Sequence, residues 1–150
     1  MASTLTNLLY HIVFSTKRRL PLITPAIRDV LYPYVGGIIR GEGGVLLDAG
    51  GIADHVHLVV KFKADISVAE MLRKIKGNSS KWLNDRPGQL RRFAWQAGYG
   101  AFTVSQSQVD AVRRYVQGQE EHHRRATFQQ EFLDLLHKHR IEYDERYLWD

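Results

Sequence analysis

The chain contains no cysteine among its 150 residues. This absence excludes disulfide bridges, thiolate zinc sites and cysteine nucleophiles, so any metal site must use histidine, carboxylate, amide or water ligands. Long apolar segments are also missing: no apolar run approaches the roughly 20 residues that span a bilayer, and no basic stretch precedes the apolar run near the N-terminus. We therefore expect a cytoplasmic protein with no membrane partner.

The remaining composition is that of one ordinary globular domain, which we expect to span residues 1–150. Hydrophobic residues make up 44% of the chain and charged residues 25%, as in typical soluble domains. Lysine and arginine together number 21 against 16 acidic residues. This excess of positive charge makes a polyanion such as nucleic acid a reasonable partner, although it does not identify one.

The order of the apolar patterns predicts an α+β fold. Apolar residues at alternate positions predict a first strand at 8–14, and β-rich runs predict three more at 45–47, 55–62 and 99–104. Helical spacing behind Ser or Thr start signals predicts helices from Thr24, Ser67, Ser107 and Thr127. We place Gly50 and Gly51 in the turn between the second and third strands. This order is the split βαβ of ferredoxin-like folds, an antiparallel sheet with helices on one face, here extended by C-terminal helices.

Two histidines occupy alternate positions in the third predicted strand. Successive side chains of a strand point to opposite faces, so His55 and His57 share one face and their apolar neighbours share the other. At this spacing both imidazoles can reach one metal ion, with Asp54 beside them as an orienting group. Taken alone, the pair also fits a solvated or hydrogen-bonded pair without a metal, which is the commoner arrangement.

Tyr115 and Gln119 are four residues apart in the helix predicted from Ser107, so we expect them on one face, one turn apart. A phenolic nucleophile stores the energy of a cleaved phosphodiester as phosphotyrosine, which a strand hydroxyl can later attack. With an ordinary pKa of about 10, tyrosine needs activation or a polarised phosphate. A divalent ion held by two histidines and Gln119 would polarise the phosphate. Alone, Tyr115 also fits an aromatic residue at the edge of the core.

Basic residues gather in two clusters that suit a DNA backbone. Their candidate DNA-binding members are Lys17, Arg18 and Arg19 in the first cluster and Arg73, Lys74 and Lys81 in the second. Aromatic residues that can stack on unpaired bases lie near the second cluster, at Trp82, Phe93 and Trp95. The alternative is that Trp82 belongs to the core and that the lysines only form a soluble surface.

Two further runs contain histidine, at 120–123 and at 137–139. Adjacent residues on a helix point about 100° apart, so neither run offers a ligand pair as compact as the pair in the strand. We interpret both runs as solvated surface.

Several motifs together resemble those of the small single-tyrosine HUH transposases of minimal insertion sequences, relatives of the REP-associated tyrosine transposases. They are AspHisValHisLeuValVal at 54–60, TrpGln and GlyTyrGlyAlaPhe within 95–102, and Tyr115 with Gln119. The resemblance extends from HisIleValPheSerThrLys at 11–17 to the stretch 114–123. Ile52 and Ala53 stand where that family has Met-Pro, and the ligand positions are intact.

This resemblance implies a mechanism and an assembly. It implies that His55 and His57 bind Mg²⁺ or Mn²⁺, that Gln119 completes the metal site, and that Tyr115 attacks single-stranded DNA to give a 5′-phosphotyrosine and a free 3′-hydroxyl. It also implies recognition of single-stranded DNA hairpins and a homodimer that shares its active sites between subunits. The residues themselves leave open whether the helix of Tyr115 meets the strand of its own chain or that of the partner.

The leading hypothesis is therefore a DNA transposase. A related HUH replication or relaxase-type nickase would share the nick and the covalent step, but only a transposase would rejoin flanks and target with its own element ends. A third hypothesis is a non-catalytic ferredoxin-like module for nucleic-acid binding, in which the histidine pair is incidental. Such a module would form no covalent adduct with DNA.

Overall fold

A computed structural model describes residues 3–149 of the chain. Its strands are β1 (Leu8–Ser15), β2 (Val45–Ile52), β3 (His55–Phe62) and β4 (Gly100–Thr103). Its α-helices are α1 (Pro25–Gly41), α2 (Val68–Asp85), α3 (Val109–Gln117), α4 (Gln119–His122), α5 (Phe128–Lys138) and α6 (Glu145–Leu148). Short 3₁₀ turns at Lys17–Arg19 and Gln106–Gln108 follow β1 and precede α3.

The four strands form one antiparallel sheet in the order β2-β3-β1-β4. β1 and β3 occupy the centre, and each of the connections through α1 and α2 skips one strand, which is the split βαβ topology. The predicted fold class is therefore confirmed. Between residues 3 and 149, no helix is both long enough and apolar enough to cross a membrane.

Alternation along β1 and β3 divides the sheet into two faces. Ile12 and Phe14 of β1 lie in one apolar core with Val56, Leu58 and Val60 of β3. α1 and α2 cover this face with a buried stripe that includes Leu31, Val35, Ile39, Met71, Leu72 and Ile75. Full burial of such side chains contributes roughly 1.5–3 kcal/mol each, which fixes the register. The intervening residues of β1 and β3, the two histidines among them, must then point to the opposite face.

The C-terminal helices cover that opposite face. A second apolar cluster joins Val13 and Phe102 of the sheet to the buried face of α5, formed by Phe128, Phe132 and Leu136. α3 lies against β2 at Gly50, where an added Cβ would collide with the carbonyl oxygen of Val116. The face that carries the histidine pair is therefore enclosed by α3 and α5 rather than open to solvent.

β2 is longer than the sequence predicts, and the predicted position of its turn is wrong. Gly50 and Gly51 lie inside the strand, paired with His57 and Val56, and the turn falls at Ala53 and Asp54. Glycine at these positions serves close approach of backbone rather than a hairpin turn. At Gly50 the approaching group belongs to α3, which no local pattern in the sequence could indicate.

The helix start signals have mixed outcomes. Thr127 and Gln130 form a complete capping box at α5, and the Ser67 hydroxyl accepts a 3.0 Å hydrogen bond from the amide of Glu70 at α2. Ser107 does not cap α3, because it lies within a 3₁₀ turn and its hydroxyl is 3.0 Å from that of Ser105. α3 begins two residues later, at Val109, without a side-chain cap.

Candidate active site

The predicted histidine pair lies at the centre of a buried polar cluster. β3 directs His55 and His57 towards the C-terminal helices, and neither has any solvent exposure. Three other buried polar side chains join them from different elements: His11 from β1, Gln119 from the start of α4 and Glu131 from α5. The cluster therefore contains residues from both halves of the chain, and the sheet holds the histidines on one side of it.

Glu131 occupies the middle of this cluster. Its Oε1 lies 2.8 Å from Nε2 of His57, 3.2 Å from Nε2 of His123 and 3.4 Å from Nε2 of His55. Its Oε2 accepts a 3.0 Å hydrogen bond from Nε2 of Gln119. One carboxylate thus faces three imidazoles with one oxygen. With the other it faces the Gln119 amide, the Tyr115 hydroxyl and, at 3.3 Å, Nε2 of His122.

The far nitrogen of each imidazole is held by a separate partner. Nδ1 of His55 lies 2.7 Å from a carboxylate oxygen of Asp54. Nδ1 of His57 lies 2.8 Å from Nε2 of His11, and Nδ1 of His123 lies 2.8 Å from the carbonyl oxygen of Ala126. Since such partners fix ring orientation in metal sites, all three Nε2 atoms are aimed at the same space.

Tyr115 meets the histidine pair of its own chain. Its hydroxyl donates a hydrogen bond to Oε2 of Glu131, and its ring centroid lies 5.7 Å from that of His57. A cleft of about 630 Å³ opens beside Tyr115 between β4, α3 and α5. The hydroxyl therefore stands at the boundary between the buried cluster and a cavity large enough for part of a substrate.

Burial and hydrogen bonding shift the ionisation of these groups in opposite directions. Burial lowers the pKa of His11 to about 3 and that of His57 to about 4. Burial also opposes protonation of His55, but its hydrogen bonds to Asp54 and Glu131 outweigh that effect and raise the pKa of His55 to about 9.

The same balance acts on the two acidic groups. Burial would raise the pKa of Glu131, but hydrogen bonds from His55 and His57 hold the pKa of this carboxyl far below its usual range. Burial, together with the adjacent Glu131 carboxylate, raises the pKa of the Tyr115 phenol above its usual value. The phenol is consequently neutral, and nucleophilic use of it requires help from its surroundings.

The structure brings Gln119 close to Tyr115 but not on one helix. α3 ends at Gln117, and Gly118, with φ −90° and ψ 19°, separates it from α4. The prediction of one continuous helix is wrong at this point. Gln119 nevertheless reaches the cluster, with its Oε1 3.1 Å from Nε2 of His55.

The interpretation of the run at 120–123 as solvated surface is wrong for its last member. The side chain of His123 is only 4% exposed and lies against Glu131, while that of His122 is 35% exposed. The helical geometry assumed for this run ends at His122, and the following turn directs His123 inwards. The sequence does contain a signal for Glu131. It is a charged residue on the buried face of α5, next to Phe128 and Phe132.

The candidate DNA-binding residues separate into two groups. Lys17 and Arg18 are exposed next to the end of β1 that pairs with His55, and neither forms an ion pair within the described residues 3–149. The side chain of Arg19 lies 5.6 Å from the ring of Trp149. Each residue of the second cluster pairs with a carboxylate: Arg73 with Glu70, Lys74 with Glu42 and Lys81 with Asp85.

Two of the three aromatic residues proposed for base stacking lie in the core. Phe93 is 1% exposed and Trp95 is 9% exposed, and their rings pack edge to face. Trp82 stacks on Tyr34 with ring centroids 4.1 Å apart. Base stacking by Phe93 and Trp95 is therefore excluded by burial, since a stacking platform must present an exposed ring face.

The donor atoms of the cluster suit a metal ion. One ligand atom each from His55, His57, His123 and Glu131 lies within 4.8 Å of every other. Imidazole nitrogen and carboxylate oxygen are ordinary ligands of divalent cations. The residues present therefore fit the metal that the sequence implies, and they include two donors, His123 and Glu131, that it did not indicate.

Comparisons with known proteins agree with this architecture. The family described as "Transposase IS200 like" matches residues 4–119 of the chain. The transposase for insertion sequence element IS200 of Salmonella typhimurium is 27% identical over 124 residues, which cover 79% of this chain and 81% of that protein. The ISDra2 transposase TnpA of Deinococcus radiodurans is 22% identical over 115 residues, which cover 73% of this chain and 82% of that protein.

Two solved structures share the fold. A crystal structure described as that of a transposase from Deinococcus radiodurans has a TM-score of 0.60 at 21% identity, over 77% of this chain and 93% of that chain. A REP-associated tyrosine transposase bound to a REP hairpin has a TM-score of 0.57 at 11% identity, over 77% of this chain and 70% of that chain. The family match spans most of the chain, from before β1 to Gln119, and includes both histidines of β3 and Tyr115. The chain belongs to the family of IS200-like transposases.

Proposed function

We propose that this transposase cleaves and rejoins single-stranded DNA through a covalent link to Tyr115, and so excises and inserts a mobile element. One observation carries the proposal: Tyr115 lines a cleft, and its hydroxyl contacts the same carboxylate that faces His55 and His57. A tyrosine at the edge of an apolar core would have no such polar surroundings.

The covalent step conserves the number of phosphoester bonds. The Tyr115 oxygen forms a bond to the phosphorus of a phosphodiester, and the bond from phosphorus to the 3′ oxygen breaks. The phenolic proton leaves along the hydrogen bond that the hydroxyl donates to Glu131 and passes to solvent, and the departing 3′ oxygen takes a proton from solvent. The products are a 5′-phosphotyrosine and a free 3′-hydroxyl, and attack by another 3′-hydroxyl reverses the step.

His55 and His57 would hold a divalent cation, Mg²⁺ or Mn²⁺, with Gln119 as a neutral oxygen donor. When bound, the cation supplies Lewis-acid polarisation of the phosphate oxygens. Asp54 and His11 support this arrangement because they bind the far nitrogens of the two imidazoles. The raised pKa of Tyr115 makes such polarisation valuable, since the phenol is a poor nucleophile while it keeps its proton.

The proposed substrate is single-stranded DNA with hairpins at the ends of the element. The likeness to a REP-associated transposase bound to a REP hairpin supports this choice. Lys17, Arg18 and Arg19 stand next to the β1 end that pairs with His55, where they would contact phosphates near the cleavage position. Arg73, Lys74 and Lys81 on α2 would contribute more weakly, since each already has a carboxylate partner.

A homodimer with active sites shared between subunits remains part of the proposal, as the resemblance implies. The single chain already brings Tyr115 to its own histidine pair. Sharing would therefore require the segment that carries Tyr115 to leave its own cluster for that of a partner. Mixing subunits with Tyr115→Phe and with His57→Ala distinguishes the two arrangements, because only shared sites regain cleavage on mixing.

The test of the nucleophile is a covalent adduct. The protein is incubated with single-stranded DNA that carries the hairpins and flanks of its own element, together with Mg²⁺ or Mn²⁺, and then denatured. We expect a protein–DNA adduct that is absent in Tyr115→Phe and present in Tyr147→Phe, a matched control at an exposed tyrosine. An adduct in Tyr115→Phe would contradict the proposal, and no adduct in the unmodified protein would favour a non-catalytic module.

A second readout separates a transposase from a nickase. Both would form the adduct, but only a transposase would join the two flanks and insert the released element into a target strand. Products of the correct joined length, detected by sequencing of the reaction, support transposition. Cleavage without any joined product would favour the nickase.

A further inference from the structure

The chain beyond the family match adds two buried donors to the histidine pair. The match ends at Gln119, whereas His123 and Glu131 lie further along and their side chains are 4% and 1% exposed. We infer that these two residues complete, with His55 and His57, a cation site of three imidazoles and one carboxylate that prefers a transition-series dication to Mg²⁺. The inference rests on the metal dependence within the proposed function, but it is tested without DNA.

The spacing of the donors is that of ligands around one cation. Donors bound at about 2.0–2.2 Å, at tetrahedral or octahedral angles, lie roughly 3.0–3.5 Å from one another. Oε1 of Glu131 lies 2.8 Å from Nε2 of His57, 3.2 Å from that of His123 and 3.4 Å from that of His55. A cation between them would need only small side-chain adjustments.

The tautomers strengthen this assignment. Nδ1 of His123 faces the carbonyl oxygen of Ala126, which only accepts, so Nδ1 must carry the proton. Nδ1 of His55 likewise faces the acidic Asp54. In the tautomer protonated at Nδ1, each ring can offer its Nε2 lone pair to a cation, and in both residues Nε2 points at the Glu131 carboxylate.

Several potential ligand atoms therefore converge on one buried point. A single dication satisfies all the lone pairs at once and neutralises Glu131.

The donor set also indicates the kind of cation. Mg²⁺ prefers oxygen ligands and keeps several waters, while imidazole nitrogen favours transition-series ions. Gln119 adds a neutral oxygen to the same space, with its Oε1 3.1 Å from Nε2 of His55 and 3.0 Å from Nε2 of His123. A site with three imidazole nitrogens, one carboxylate and one amide oxygen suits Mn²⁺, Co²⁺ or Zn²⁺.

The experiment measures binding of Co²⁺ and Mn²⁺ to the full chain after removal of metals with a chelator. Co²⁺ is followed by visible absorption and Mn²⁺ by calorimetry, both without DNA. We expect Glu131→Gln to weaken Co²⁺ binding by about tenfold or more, Glu131→Asp to weaken it less, and Glu142→Gln, a control at an exposed glutamate, to leave it unchanged. Mg²⁺ in large excess should not displace Co²⁺.

The outcomes separate this inference from the proposed function. If Gln119→Ala abolishes Co²⁺ binding while folded Glu131→Gln binds as the unmodified protein does, the site is two histidines and an amide, and the inference is overturned. Ready displacement of Co²⁺ by Mg²⁺ overturns the preference. If Co²⁺ binding depends on Glu131 but Tyr115 forms no adduct with DNA, the inference holds and the proposed function fails.

Discussion

Nε2 of His11 lies 2.8 Å from Nδ1 of His57, and the two imidazole rings stack with their centroids 5.0 Å apart. The residues are diagonal neighbours across β1 and β3, since Val13 is paired with His57 and His11 with Val59. This hydrogen bond holds the ring of His57 with its Nε2 towards Glu131. His11 is thus a positioning residue, which touches a proposed ligand and not the cation.

Removal of the His11 imidazole should weaken metal binding. In His11→Ala, Nδ1 of the buried His57 has no partner, and removal of such a supporting group costs about 10–100-fold in metal affinity. His11→Gln should restore part of the affinity, because its amide oxygen can still accept a hydrogen bond. Calorimetric titration with Mn²⁺ measures both variants, and thermal unfolding by circular dichroism confirms that they fold. An equally weakened affinity in both variants would argue for a packing role instead.

Acid should destabilise the metal-free protein between pH 6.5 and 4.5. In the unfolded chain His11 and His57 bind protons near pH 6.5, but in the folded chain their pKa values are lowered to about 3 and about 4. The unfolded state therefore binds more protons in this window, and stability falls as the pH falls. Each group contributes a slope of up to about 1.4 kcal/mol per pH unit.

His55 does not oppose this trend within that window. Its pKa is raised to about 9, so its stabilisation is complete below pH 6.5 and is lost as the pH rises through about 9. Urea unfolding in the presence of a chelator gives the free energy of unfolding at each pH. His11→Gln should show a shallower acid slope than the unmodified protein, and an unchanged slope would contradict the assignment of His11 as a buried neutral imidazole.

The two basic clusters should differ in their contribution to DNA binding. Lys17 and Arg18 carry charge that no described carboxylate offsets, whereas Lys74 and Lys81 are paired with Glu42 and Asp85. The double change Lys17→Ala with Arg18→Ala should weaken DNA binding more than the double change Lys74→Ala with Lys81→Ala. It should also reduce the salt slope of binding by about 0.7 for each phosphate that the protein no longer neutralises. Fluorescence anisotropy with a labelled single strand, at several salt concentrations, measures both. The opposite ranking would place the DNA along α2.

Local patterns in the sequence were sufficient for the fold and for half of the candidate site. Alternation placed His55 and His57 on one face because the core on the other face is continuous, and the capping box at Thr127 marked α5. His11 was within reach of the same argument, since it alternates with the core residue Ile12.

The other features of the candidate site depend on packing between distant parts of the chain, which local sequence patterns do not indicate. Glu131 is 74 residues from His57 in the chain and meets it only because α5 packs on the sheet. The break at Gly118 and the inward turn of His123 have the same origin, since both are set by packing against other elements. Gly50 was misassigned to a turn because the helix that requires it lies far along the chain.

Gly50→Ala should disturb the candidate active site, although Gly50 supplies no side chain to it. The new Cβ would collide with the carbonyl oxygen of Val116, so α3 must move. Overpacking of this kind costs about 1–3 kcal/mol, and adduct formation should fall as Tyr115 leaves its place. Gly77→Ala is the matched control, because nothing surrounds that position in α2 and alanine is favoured there by about 0.5–1 kcal/mol. Chemical unfolding and the adduct assay report the two effects, and a Gly50→Ala protein with unmodified stability would contradict the packing.

This glycine also sets the spacing of the reaction centre. Gly50 is the cross-strand partner of His57, and Val116 follows Tyr115 directly, while Gln117 is tied to Asp48 of β2 by a 2.6 Å hydrogen bond. The β2–β3 hairpin therefore carries His55 and His57, and α3 packs against it at the position where Gly50 pairs with His57. When Tyr115 acts beside the histidine pair of its own chain, a strand attached to it stays next to His57, so an incoming hydroxyl meets the phosphate in the position that the departing one left.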